Sequence, residues 1–155
     1  MLLKELYGGI VIPPAVFSEL QRNGIPIAFD WIQVIVPQNR AAVQILRSEL
    51  DAGGSEAIVL AQELPVCLLL IDERLGRRAA KRMGLEVTGL LGILAESKKR
   101  GIVPLCAPIL DEMIEQAGFW IGGQSSIRLL ESTRRNRLAG PFCGKLIREH
   151  APQRW

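Results

Sequence analysis

The run Val66-Cys67-Leu68-Leu69-Leu70-Ile71, closed by Asp72, limits the possible folds more than any other stretch of the chain. Six apolar residues are too few for a free-standing helix, and without polar alternation both faces of the run are hydrophobic. A segment of this kind suits a strand of a parallel sheet covered on both sides. Pro65 leads into it. A basic helical pattern follows Asp72 as far as Met83, where Gly84 stops it.

The segments around this strand repeat the same alternation. Ile10-Val11-Ile12, between Gly8-Gly9 and Pro13-Pro14, reads as a short buried strand. Pro14 can open the next helix because a first-turn residue needs no N–H partner, and Asn23-Gly24 can end it. Ile32 to Val36 is a β-branched strand closed by Pro37. Residues 39–50 have helical spacing, with Val43, Leu46 and Leu50 on one side. Asp51-Ala52-Gly53-Gly54-Ser55-Glu56 breaks that helix and starts another, which runs to about Leu64. Leu85-Glu86-Val87 reads as a short strand and Leu90 to Lys99 as a helix with a basic end. Further helices are expected near 108–117 and 126–137, and residues 138–155 read as a loosely held tail. Gly89 and Gly92 permit close helix–sheet packing. Strands alternating with helices predict an α/β/α sandwich, three layers around a mostly parallel sheet.

Composition narrows the function classes. The chain has 155 residues, 48% of them apolar and 23% charged, which suits one domain with an aliphatic core and excludes disorder. No apolar run reaches the roughly 18 residues that cross a bilayer, so no membrane role is expected. The first residues carry a Glu and paired glycines where a secretion signal needs an apolar stretch, and the expected location is the cytoplasm. Cys67, Cys106 and Cys143, with His150 as the one histidine, have no zinc spacing and read as structural. His150 is poorly placed for a catalytic base. Gly53-Gly54-Ser55 has neither a dinucleotide-binding pattern nor a P-loop lysine.

The net charge of +3 is mild, but its distribution is uneven. Arg74, Arg77, Arg78, Lys81, Arg82, Lys98, Lys99 and Arg100 face only Glu86 and Glu96 within their segment, and Arg134, Arg135 and Arg137 follow. Such clusters attract phosphate backbones, and they also serve as solvated helix faces. Asp72, ending the most buried strand, belongs at the rim where open parallel sheets bind ligands. It also suits the N-cap of the following helix. Glu73 beside it suits a solvated position or a pair with Arg77. Glu56 reads as a first-turn residue favoured by the helix dipole. Glu19 follows Val16 by three and so borders a buried helix face. Were Glu19, Glu56 and Asp72 to converge, their repulsion would call for a hard divalent cation such as Mg²⁺ or Mn²⁺. A cation held there would activate water against a phosphodiester.

The order of four strings is that of a known family. IVIPPAVFSEL (10–20), LDAGGSEAIVLA (50–61), LLLIDERLGRRAA (68–80) and GLEVTGLLGIL (84–94) together resemble the PIN-domain superfamily, most closely its VapC-like branch of predicted nucleic-acid-binding proteins. The match covers about residues 2–137. The resemblance implies a domain over 1–137 and a metal-dependent ribonuclease site. Glu19 matches the acid of a V-x-x-E-L motif, Glu56 that of G-x-x-E-A-I, and Asp72 the acid that closes the central strand. Glu73 stands ready to assist the metal, and Thr88 matches a small polar residue facing the site. Arg74, Arg77, Arg78 and Lys81 would guide the nucleic acid. RNA, an antitoxin protein and a second copy in a homodimer are the implied partners. Two departures stand out. Relatives commonly have Gly-Glu at the place of Gly53-Gly54, and the chain starts inside the helix that normally follows the family's first strand. That strand and its Asp are missing, and Asp30 lies too far along to replace it. An upstream start, the tail, a swapped segment or a partner chain is then expected to close the gap.

Two functions follow from this reading. One is an endoribonuclease using Mg²⁺ or Mn²⁺, of the kind found as the toxin of a toxin–antitoxin pair. The other is a degenerate domain that binds nucleic acid or protein without cleaving it.

Overall fold

The computed structural model describes residues 2–25, 29–65, 68–105 and 108–109. In chain order they form α1 (Leu2–Tyr7), β1 (Ile10–Ile12), α2 (Pro14–Arg22), β2 (Ile32–Val34), α3 (Arg40–Leu46), α4 (Ala52–Glu63), β3 (Leu69–Leu70), α5 (Arg74–Arg82), β4 (Val87–Thr88) and α6 (Leu90–Lys99). Inter-residue contacts divide the chain into two units, one holding residues 3–88 and the other starting at Gly89. The expected helices at 108–117 and 126–137 lie outside the described residues apart from 108–109. So do the tail, Cys67, Cys106, Cys143 and His150.

The first unit is a mixed α/β structure with parallel pairing, as the alternation of strands and helices predicts. β1 pairs with β2 in parallel, Ile10 opposite Ile32 and Ile12 opposite Val34. β3 pairs with β4 in parallel, Leu69 opposite Val87 and Leu70 opposite Thr88. Among the described residues these are two separate two-stranded sheets.

Helix ends follow local chemistry. α2 opens on Pro14 and closes through Gly24 at φ +71°, where Ile25 N–H donates to the Leu20 carbonyl and Gly24 N–H to that of Gln21. This double return bond satisfies carbonyls that the last turn leaves free. α5 ends in the same way: Leu85 N–H donates to the Ala80 carbonyl, with Gly84 at φ +77°. Leu85 is thereby used in the helix cap, and β4 starts at Val87 instead of at Leu85. The expected helix over 39–50 also needs correction. α3 ends at Leu46, and Leu50 reaches the core from the turn that follows.

The core of this unit gathers Leu50, Ile58, Ile71, Ala79 and Ala80, with Leu46, Leu69, Met83, Leu85 and Val87 packed around them. Ile58 and Ala80 are fully buried. The contact of α5 with Ile71, just after β3, is close because Gly76 has no side chain. A Cβ there would collide with Ile71 Cδ1 and stand 3.1 Å from its Cγ1. In the second unit, α6 buries Ile93, Leu94 and Ser97, whose hydroxyl donates to the Ile93 carbonyl at 2.6 Å. Among the described residues no helix is long and apolar enough to cross a membrane.

Candidate functional site at the carboxyl ends of β1 and β3

β1 ends at Ile12 and runs through Pro13-Pro14 into α2, a sequence that removes two backbone donors and any side-chain cap from the start of that helix. The first remaining donor, Ala15 N–H, needs an acceptor. Glu56 of α4 supplies it, its Oε2 accepting from Ala15 N at 2.9 Å. The carboxylate thus meets the positive end of α2. The expectation that Glu56 sits in the first turn of its own helix is overturned, because the first turn of α4 contains no acidic residue. Its charge is matched to a neighbouring helix, an arrangement invisible in local sequence.

Glu19, also on α2, points its carboxylate at the first turn of α4. A Cβ built on Gly53 would stand 3.3 Å from Val16 Cγ2, 3.6 Å from Glu19 Oε2 and 3.8 Å from Asp51 Oδ1. Gly53 therefore lets α2 approach α4 closely and brings two carboxylates near one backbone position. Asp51 is a residue that the sequence reading passed over as part of a helix break. It is the N-cap of α4, and its Oδ1 accepts from Gly54 N at 2.6 Å. Ser55 completes the turn, its hydroxyl donating to the Asp51 carbonyl at 2.6 Å. The signal was present in the sequence: an Asp three residues before a Gly-Ser pair and ahead of an apolar helical run is a capping pattern.

Asp72 directly follows β3 and Ile71, and it is exposed. Its expected role as N-cap of α5 is overturned. Glu73 occupies the N-cap position, and its side chain makes no capping hydrogen bond. Thr88 is the last residue of β4, opposite Leu70. On α5, Gly76, Ala79 and Ala80 are buried while Arg74, Arg78 and Lys81 are exposed and Arg77 is half-buried. The helix thus has an apolar inner stripe and a basic outer face. Arg82 is drawn into an exposed ion pair with Glu49 at 2.9 Å.

The carboxylates named from sequence are placed unevenly. Glu19 and Glu56 share the α2–α4 contact, and Asp51 joins them there. Among the described residues no three or more Asp, Glu, His or Cys side chains are gathered closely enough to hold a metal ion. The residues described here therefore do not by themselves make a closed metal site.

A comparison with protein families decides the wider relationship. The family model DUF3368, described as a PIN domain, matches residues 1–134. The chain belongs to this PIN-domain family. No curated protein and no solved structure matches it. PIN membership carries with it a nuclease-type fold, and PIN domains generally use divalent metal ions.

Proposed function

We propose that this PIN domain is an endoribonuclease that hydrolyses RNA phosphodiesters with Mg²⁺ or Mn²⁺ as its cofactor. The observation that carries the reading is positional. In a chain with PIN membership, Asp72 lies two residues beyond β3, and Glu56 meets the chain three residues beyond β1. Carboxyl ends of parallel strands are where open α/β sheets place ligands. Glu19, Glu56 and Asp72, with Glu73 adjacent, are the groups that would hold the metal, which supplies an activated water and neutralises charge on the phosphate. Glu56 has a second duty, since its bond to Ala15 fixes the start of the helix that carries Glu19.

The chain's own contribution to substrate binding is the outer face of α5. Arg74, Arg77, Arg78 and Lys81 present four cations over little more than two turns. Contacts of this type track the phosphate backbone and fall off steeply with salt. Thr88 would face the bound strand. The cytoplasm, an antitoxin partner that inhibits cleavage and a homodimer belong to the same proposal.

A second reading is a PIN domain that binds RNA without cleaving it. It is favoured by the absence, among the described residues, of a gathered set of three carboxylates. One experiment separates the two. RNA cleavage is measured with Mn²⁺, with EDTA, and with Asp72→Asn, alongside binding of the same RNA. The proposal expects cleavage with Mn²⁺ that disappears in EDTA and in the variant. Cleavage that survives either change defeats the metal-dependent reading, and binding without any cleavage establishes the second one.

A further inference from the structure

The first turn of α4 holds two glycines, Gly53 and Gly54, at positions where glycine is among the poorest helix formers. Neither uses glycine's conformational freedom. The glycines at positive φ among the described residues are Gly8, Gly24, Gly84 and Gly101. What Gly53 and Gly54 offer the fold is the absence of a side chain. At Gly54 that absence serves its own helix, because a Cβ would stand 3.0 Å from Asp51 Oδ1, the atom that accepts from Gly54 N–H. At Gly53, which is buried, it serves another helix. The missing Cβ would meet Val16 Cγ2 of α2 at 3.3 Å and Glu19 Oε2 at 3.6 Å. The first distance is inside the usual carbon–carbon separation of about 3.5–4.0 Å.

Helix α2 is not free to back away from an added group. Its start is tied to α4 by the bond from Ala15 N–H to Glu56, and all three residues of β1 in front of it are paired with β2. Glu56 follows Gly53 by three residues on α4, and Glu19 follows Val16 by three on α2. The cap and the close contact therefore lie about one turn apart, and together they seat α2 at two points. With the start pinned, any group added at position 53 has to be accommodated by Val16 and Glu19. Glu19 is exposed, so its carboxylate is aimed by where α2 is held.

We propose that Gly53 is a positioning residue, whose lack of a side chain sets where α2 holds the Glu19 carboxylate and which acts on RNA cleavage through Glu19. Only the last step rests on the ribonuclease reading. The placement of Glu19 is a property of the free protein and is read without RNA or metal. The effect of a substitution grows with size, Gly53→Val exceeding Gly53→Ala. Ala is the better helix former, so Gly53→Ala should unfold in urea no earlier than the wild-type protein, and instability then does not explain a loss of activity.

The test uses the full chain and carbon-detected NMR of its side-chain carboxyls. In Gly53→Ala the Glu19 Cδ signal should move, and that of Glu63, bonded to Gln38 and Asn39 N–H at the other end of α4, should stay. RNA cleavage is then followed with Mn²⁺. A shift of about 1 Å at a reacting group costs on the order of a hundredfold in rate, so a few tenths of an ångström should lower kcat roughly three- to tenfold. KM for RNA should be unchanged, because the basic face of α5 binds it. Adding Val16→Ala, which vacates the tightest contact, should restore part of the lost kcat, whereas a fault local to α4 is not rescued from α2. An unmoved Glu19 signal in Gly53→Ala overturns the proposal, as does a wild-type kcat in that variant. Gly53→Ala carries the test if Gly53→Val does not fold. A wild-type protein that cleaves no RNA defeats the ribonuclease reading and the last step with it, while the NMR comparison still decides whether Gly53 places Glu19.

Discussion

The two sides of α4 show how differently one helix can be used. On one side Ile58 is fully buried and packs into the cluster with Leu50, Ile71, Ala79 and Ala80. On the other, Ala57, Leu60, Ala61 and Leu64 line the groove between β1 and β3. Both sides are hydrophobic, while Gln62 and Glu63 at the end of the same helix are exposed. The first is filled by neighbours from the same unit, whereas the second faces a cavity. A residue's apolar character therefore says that it is to be covered and not what covers it.

The sharpest way to break this comparison is to truncate one residue on each side. Ile58→Ala should cost about 4 kcal/mol in a urea titration, since its neighbours close round it and a cavity remains. Leu60→Ala should cost less, about 2 kcal/mol, because part of its surroundings is already unfilled. Equal losses would show that the groove is as tightly occupied as the core.

Smaller effects probe the polar end of the same helix. Glu56→Ala should destabilise by about 1 kcal/mol, the usual cost of removing a helix cap. Glu56→Gln should recover most of that loss, since its amide oxygen can still accept from Ala15 N–H. A thermal melt of both variants checks the order, and a Gln variant as unstable as the Ala variant would assign the effect to charge alone. At the low end, Ile45→Ser on α3 should shift stability by no more than about 0.5 kcal/mol, because Ile45 is 72% exposed. A larger loss would reveal a partner for that surface.

Much of the fold was legible because the signals were local. Pro14 opens α2, Asn23-Gly24 and Gly84 close helices, and the apolar run ending at Ile71 contains β3. What failed, failed where two local signals competed for one residue. Leu85 fits a strand by its apolar character, but the cap of α5 uses its N–H. The candidate site was legible only as a set of residue types. Asp51 went unrecognised because its capping pattern lies within a Gly-rich break, and Glu56 was matched to the wrong helix because its acceptor role spans 41 residues of sequence.

By itself, the sequence determined the alternation of strands and helices, the start of α2, the ends of α2 and α5 and the PIN relationship, all of which rest on the nature and spacing of near neighbours. Only the tertiary structure decided that Glu56 caps α2, that Gly53 brings Glu19 and Asp51 to one turn, and that the strands form two pairs with a groove between them. These depend on which distant segments meet. Hydrogen bonds and packing reward proximity in space, and a linear pattern of residue types specifies that proximity only once the chain has folded.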